Sequence, residues 1–183
     1  MNYKTITITA PTVEPITLAE AKDQLRVEQA MTVDDDYITA LISVARDRAE
    51  NYCNRYFSAQ KVGIVYMGAF PASVLTLPFP DLASVDAVTY TDTNNQTQTL
   101  SGFTFNSDTQ QLVATGAFPT DAVNFKVVVT TGAPADFPGA KLAMQMILTD
   151  LYELRTESVL GVSVAVNPAV DLHLHQYRVN EGI

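Results

Sequence analysis

Asp34-Asp35-Asp36 sets three carboxylates in a row, a cluster of the kind that could hold a cation. At the start of an apolar-periodic segment the same residues more simply cap free backbone N–H groups and complement the helix dipole. Asp92-Thr93-Asn94-Asn95-Gln96 opens like a calcium loop. Such a loop needs a glycine at its sixth position and a bidentate Glu at its twelfth, and this chain has Thr97 and Phe103 there. The segment reads as a hairpin turn. His173 and His175 point apart on a helix, and neither a Cys nor a third histidine completes a zinc set with them. Asp171 beside them suggests a triad, but no serine lies in a G-x-S-x-G elbow, and Ser163 lacks a strand–turn–helix context. Cys53 falls on an apolar stripe and reads as an inert core thiol. GxGxxG, phosphate-loop and HExxH patterns are absent. The sequence thus offers no catalytic residue, no cofactor site and no metal site.

Composition narrows the classes further. The chain has 183 residues, 47% of them hydrophobic and 17% charged, enough to bury a real core and too apolar for a disordered chain. Twenty acids against 11 bases give a net charge of −9, which repels phosphate and argues against nucleic-acid binding by a basic patch. The N-terminus lacks a signal-peptide core, and no apolar run approaches membrane-spanning length, so a soluble cytoplasmic chain is expected. A single cysteine cannot form an internal disulfide.

The elements that would position these residues fall into two kinds. Thr5-Ile6-Thr7-Ile8-Thr9 alternates with period two and predicts a short strand. Thr17-Leu18-Ala19-Glu20 matches a capping box, and the helix after it should end near Glu28. A second helix is expected from the Asp34–Asp36 cluster. Ile38, Leu41, Ile42, Ala45, Ala49, Tyr52, Cys53 and Tyr56 recur on it at spacings of three and four. Arg46 and Glu50 are placed on its wet side as an i, i+4 pair. A third helix should run from Pro138 to about Arg155, apolar on more than one face, and hence either central in the domain or shared with a neighbouring subunit. Val170, Leu174 and Tyr177 mark one side of a short final helix.

Between Lys61 and Lys126 there is no base, and five acids occur: Asp81, Asp86, Asp92, Asp108 and Asp121. Short strand-like runs at 62–66, 74–77, 85–90, 111–114 and 125–130 fill this interval, with Asn94-Asn95 where a tight hairpin needs positive φ. The expected class is α+β. A helical frame of about three long helices plus a short C-terminal one, residues 1–61 and 132–183, is interrupted by a β-rich antiparallel insertion at 62–131.

The flanks carry a resemblance. Glu14-Pro15-Ile16-Thr17-Leu18-Ala19-Glu20-Ala21-Lys22-Asp23-Gln24-Leu25-Arg26 resembles the opening of head–tail connector (adaptor, head-completion) proteins of tailed phages. In that family a P-[IV]-[ST]-L-x-E-[AV]-K-x-[HQ]-L-R segment precedes an acidic cluster and a long helix. Asp34 through Arg55 is similar to that helix, Pro138 through Arg155 to a later family helix, and Asp171 through Arg178 to the family's closing segment. Val88-Thr89-Tyr90-Thr91-Asp92 is similar to a hairpin of longer members, with Asn95 at the usual turn glycine. The resemblance covers roughly 11–57 and 125–178. It implies a non-enzymatic structural virion protein at the head–tail junction, held in the host cytoplasm during assembly. It also implies a twelve-fold ring beneath the portal protein that extends the DNA channel and receives a stopper or tail-completion protein. Genomic DNA would pass through unbound, and −9 per chain suits an acidic, poorly adhesive lumen. The alternative from another class is a small ligand- or glycan-binding β module on a helical base. It would favour clustered exposed aromatics, whereas Trp is absent and the tyrosines are dispersed.

Residues 158–166 are apolar without an assignable partner, and the last helix is too short to stand without packing. Val159, Leu160, Val162, Leu174, Tyr177 and Arg178 are therefore the candidate portal or subunit interface, with Tyr177 as aromatic anchor and Arg178 as partner to a carboxylate. Folding of this segment back onto the chain's own third helix is the competing expectation.

Overall fold

Residues 2–133, 136–154 and 168–179 are described by the structure, a computed structural model. Two compact units emerge, one from residues 2–13 and 58–133, the other from 14–57 and the described residues between 136 and 179. The first is all strand, the second all helix.

In the helical unit, Thr17 caps α1 (Leu18–Leu25) through the foreseen box. The Glu20 N–H donates to Thr17 Oγ1 at 3.2 Å, and the Thr17 N–H donates to Glu20 Oε2 at 2.9 Å. The helix stops earlier than Glu28 because Arg26 turns left-handed at φ 57° and closes the last turn. The second helix, α2 (Asp35–Cys53), ends the same way at Asn54, φ 50°, so the stripe does not continue as helix to Tyr56. After it come α3 (Pro138–Leu154) and α4 (Pro168–His175). The expectation of about three long helices is corrected: α2 and α3 have 19 and 17 residues, whereas α1 and α4 have eight each. Ile38, Leu41, Ile42, Ala45, Ala49 and Cys53 of α2 meet Ala143, Met144, Ile147 and Leu148 of α3 in one core. Since α3 packs on α1, α2 and α4 together, its all-round apolar character reflects a central position in this unit.

In the sheet unit, β1 (Tyr3–Thr9), β2 (Lys61–Met67), β8 (Ala122–Thr131), β4 (Leu82–Asp92) and β5 (Thr97–Thr99) form one sheet in the order β1-β2-β8-β4-β5. The strands β3 (Val74–Thr76), β7 (Gln111–Ala114) and β6 (Phe103–Asn106) form a second, and every pairing is antiparallel. The strands β5 and β6 lie outside the runs singled out in the sequence, since neither has a long apolar alternation. The N-terminal strand, grouped in the sequence reading with the helical flank, instead pairs with β2 from Tyr3–Tyr66 to Thr9–Lys61. Strand alternation explains the core: Val62, Ile64 and Tyr66 point inward beside Phe125, Val127 and Val129. Phe125 stacks on Tyr66 at 4.7 Å and on Phe70 at 4.0 Å between ring centres. Close approach fixes one glycine. A Cβ on Gly132 would sit 2.9 Å from the Asp81 carbonyl oxygen, which its N–H meets at 2.7 Å.

Candidate functional site

The residues with chemical potential are absorbed into structure. Asp34 precedes α2 but makes no side-chain cap; its Oδ2 accepts from the Tyr152 hydroxyl of α3 at 2.6 Å. Asp35 pairs with Lys22 Nζ at 2.5 Å. The cluster therefore joins α2 to α1 and α3, a tertiary use that replaces the capping expected from its sequence position. Asp92 closes the β4–β5 hairpin as expected. Its Oδ1 accepts from the N–H groups of Asn94 and Gln96, both at 2.9 Å, and Asn95 supplies φ 60°. The Gln96 N–H, followed by the Gln98 amide and the Asn94 N–H, holds the Asp92 carboxyl below its ordinary pKa. Cys53 is buried, and loss of hydration pushes its thiol up to about 11. Among the described residues no His, Cys, Asp or Glu grouping could hold a metal ion. His173 and His175 lie in the last turn of α4, and Ser163 falls outside the described residues.

The candidate interface divides. Val159, Leu160 and Val162 lie outside the described residues. Leu174 is 1% exposed and belongs to the helical core with Val170. Tyr177 is half-buried, with its ring 6.0 Å from Phe57 edge-on and its hydroxyl accepting the Gly139 N–H at 3.2 Å. Gly139 permits this: a Cβ there would come 2.5 Å from the Gln176 amide and 3.2 Å from the Tyr177 ring. Arg178 is exposed, its guanidinium 5.6 Å from the centre of the Tyr52 ring, a cation–π distance. The Val179 N–H donates to the Cys53 carbonyl at 2.8 Å. The described part of the C-terminal segment is thus held by its own helical unit, and of its three described candidate residues Leu174 is buried while Arg178 and part of Tyr177 face outward.

Buried charge is the feature the sequence reading misplaced. Arg46 and Glu50, assigned to the wet side of α2, are each 6% exposed. Arg46 Nε donates to Glu14 at 2.8 Å, and its Nη1 to Asp47 at 2.8 Å and Glu50 at 2.9 Å. Glu50 also accepts the Phe57 N–H at 2.8 Å, and Ser43 donates to Glu14 at 3.0 Å. Burial alone would lower the pKa of Arg46, but Glu50, Glu14 and Asp47 outweigh it and raise it. Lys22, 3% exposed, donates to the carbonyls of Gln29 at 3.2 Å and Met31 at 2.8 Å besides its Asp35 pair. An i, i+4 spacing cannot tell a buried pair from a wet one. The available signal was position: Arg46 and Glu50 adjoin Ala45 and Ala49 of the core stripe.

Residues 15–113 match the family described as phage gp6-like head-tail connector protein. The fold is similar to that of a chain in the neck of an empty gene transfer agent (GTA) particle computed with C6 symmetry. The TM-score is 0.73 at 18% identity, over 98% of this chain and 97% of that one. A chain in the virion of the native GTA particle gives 0.72 at 18% identity, over 98% and 97%. A chain in the neck of the native particle computed with C12 symmetry gives 0.64 at 19% identity, over 100% and 98%. At these identities the likeness is one of fold. No curated protein matches the chain.

Proposed function

The chain belongs to the phage gp6-like head-tail connector protein family, and from that premise we propose that it is a structural subunit of a particle neck. Copies assemble as a twelve-fold ring beneath the portal protein, extend the DNA channel and present the attachment site for a stopper or tail-completion protein. The subunit waits in the host cytoplasm and works in the virion at the head–tail junction, where genomic DNA passes it without specific binding. The observation that carries this reading is a fold shared over 98% of the chain with a component of a particle whose neck has been computed with six-fold symmetry. The C12 symmetry of a second such neck supports the subunit number. A charge of −9 per chain favours a lumen to which DNA does not adhere. The role is positional and needs no reacting group.

Deleting the coding segment in cells that make the particle tests the reading. Filled heads and separate, unattached tails are expected, with attachment restored by supplying the chain. Tailed particles of normal number without the chain would overturn it.

A further inference from the structure

Strand alternation gives the five-stranded sheet an outward face opposite its core. Ile6 pairs with Gly63, and Val65 pairs with Lys4 on one side and Lys126 on the other. These residues therefore share that face, as does Met67. Ile6 and Met67, and Ile8 whose end lies over Gly63, are large and apolar yet open to solvent, at 47%, 63% and 48% exposure. The end of Ile8 and the stem of Lys126 lie over bare Gly63, 3.3 and 3.5 Å from where a Cβ would stand. The three lysines of this unit, Lys4, Lys61 and Lys126, all project from this face. Lys61 pairs with Asp86 at 2.7 Å, whereas among the described residues Lys4 and Lys126 have no ion-pair partner. Two lysines whose backbones stand about 10 Å apart, one on either side of β2, thus flank an exposed apolar patch in a chain where 20 acids face 11 bases.

The complementary surface is on the helical unit. Tyr37, Ala40 and Val44 recur along the exposed side of α2, opposite its core stripe, and Val33 lies just ahead of the helix. Asp36 and Asp47 border this line. Asp47 remains 63% exposed despite its contact with Arg46, and Arg48 is the base on the stripe. A closed ring uses heterologous contacts, in which each subunit offers two different faces. A basic apolar face and an acidic apolar one on the same chain meet that requirement. We propose that the outward sheet face around Lys4, Ile6, Met67 and Lys126 docks on the α2 stripe bordered by Asp36 and Asp47 in a second copy of the chain. This rests on the ring reading above and names the subunit surfaces it needs.

The test uses the full chain supplied to particle-making cells, with incorporation into necks measured by quantitative immunoblot of purified particles. Lys4→Glu with Lys126→Glu should cut incorporation roughly tenfold or more, as should Asp36→Lys with Asp47→Lys, because each opposes like charges. The four changes together should restore most of it. Lys4 and Lys126 are exposed or half-exposed and make no ion pair among the described residues, so the lysine reversals should keep the native melting temperature. Asp47→Lys also takes a carboxylate from buried Arg46 and should lower it, so recovery of incorporation by the four changes together is the decisive reading. An otherwise native chain carrying Ile6→Cys and Tyr37→Cys should give a ladder of covalently linked copies with a short bis-maleimide, Cys53 being buried. Normal incorporation of both charge reversals without a ladder would overturn the interface and leave the neck role standing. Full necks that lose packaged DNA would assign the lysines to DNA and overturn it as well. Absence of the native chain from necks would overturn the neck role, and the interface with it.

Discussion

Buried polar groups divide the two units sharply. Among the described residues they are Lys22, Arg46 and Glu50 in the helical unit, and Ser58, Gln60, Asp92 and Thr131 in the sheet unit. The difference follows from what each architecture leaves unpaired. Helices satisfy their own backbones, but the segments entering and leaving them have no ladder to join. Lys22 supplies donors to the α1–α2 connection, and the Arg46–Glu50 pair fixes Glu14 before α1 and the Phe57 N–H after α2. Strands pair with one another, so short side chains at strand ends suffice. Thr131 Oγ1 donates to the Ser58 carbonyl at 2.9 Å and accepts the Gln60 N–H at 3.0 Å. Charge in the interior thus holds connections: three charged side chains do so among the described residues of the helical unit, and Asp92 does so at a hairpin of the sheet unit.

The most severe way to break this contrast is Arg46→Met. It strands Glu50 and Glu14 without their cation, and a loss of about 3–5 kcal/mol is expected, read as a shift of the denaturant midpoint. Arg46→Met with Glu50→Gln should be milder. An unchanged midpoint for Arg46→Met would show that the buried cluster is not needed. Leu174→Ala comes next. If α4 contributes to the helical core as its burial implies, the cavity should destabilise the chain by about 2–4 kcal/mol, measurable by calorimetry, whereas a merely exposed leucine would give little. Lys22→Met leaves two carbonyls and Asp35 without their donor, at about 2–3 kcal/mol. Faster amide exchange confined to residues 27–34 would identify the loop as the part released.

The sheet unit should respond to pH instead. The Lys61 ammonium, with Ser84 and Thr130, lowers the pKa of Asp86, and the hairpin N–H groups lower that of Asp92. A carboxyl depressed by folding stabilises fully above its unfolded-chain value of about 4, and this contribution is lost as pH falls through the lower folded value. Melting temperatures from pH 6 down to pH 2 should therefore fall most steeply at the acid end, with a shallower fall for Asp92→Asn. An identical profile for the variant would remove Asp92 from the account. Tyr66→Phe is the smallest change. The buried hydroxyl lies among aromatic rings without a hydrogen-bond partner among the described residues. Its removal should be neutral or stabilise by up to about 1 kcal/mol, and a clear loss of stability would mean that the hydroxyl is satisfied.

Much of the fold was legible because it depends on short-range periodicity. The capping box at Thr17, the α2 stripe from Ile38 to Cys53 and the strand at 125–130 follow from short spacings, and the hairpin at Asp92–Thr97 from the turn residues Asn94-Asn95. The motifs of the first flank likewise pointed to the family, whose match runs from residue 15 through 113 and so takes in much of the sheet unit but not the distal flank. Other features were decided only when distant segments met. Arg46 and Glu50 became interior groups because Glu14 and the Phe57 N–H arrive beside them, 32 and seven residues away along the chain. Asp34 gave up a helix cap to receive Tyr152, 118 residues distant. Leu174 entered the core because α4 returns to α2 and α3. The exposed face of β1, β2 and β8 acquired its two lysines only when Val65 was set between Lys4 and Lys126. Local pattern fixes which side of an element is apolar; which polar atoms can afford to leave water depends on partners that only the folded chain brings within hydrogen-bonding distance.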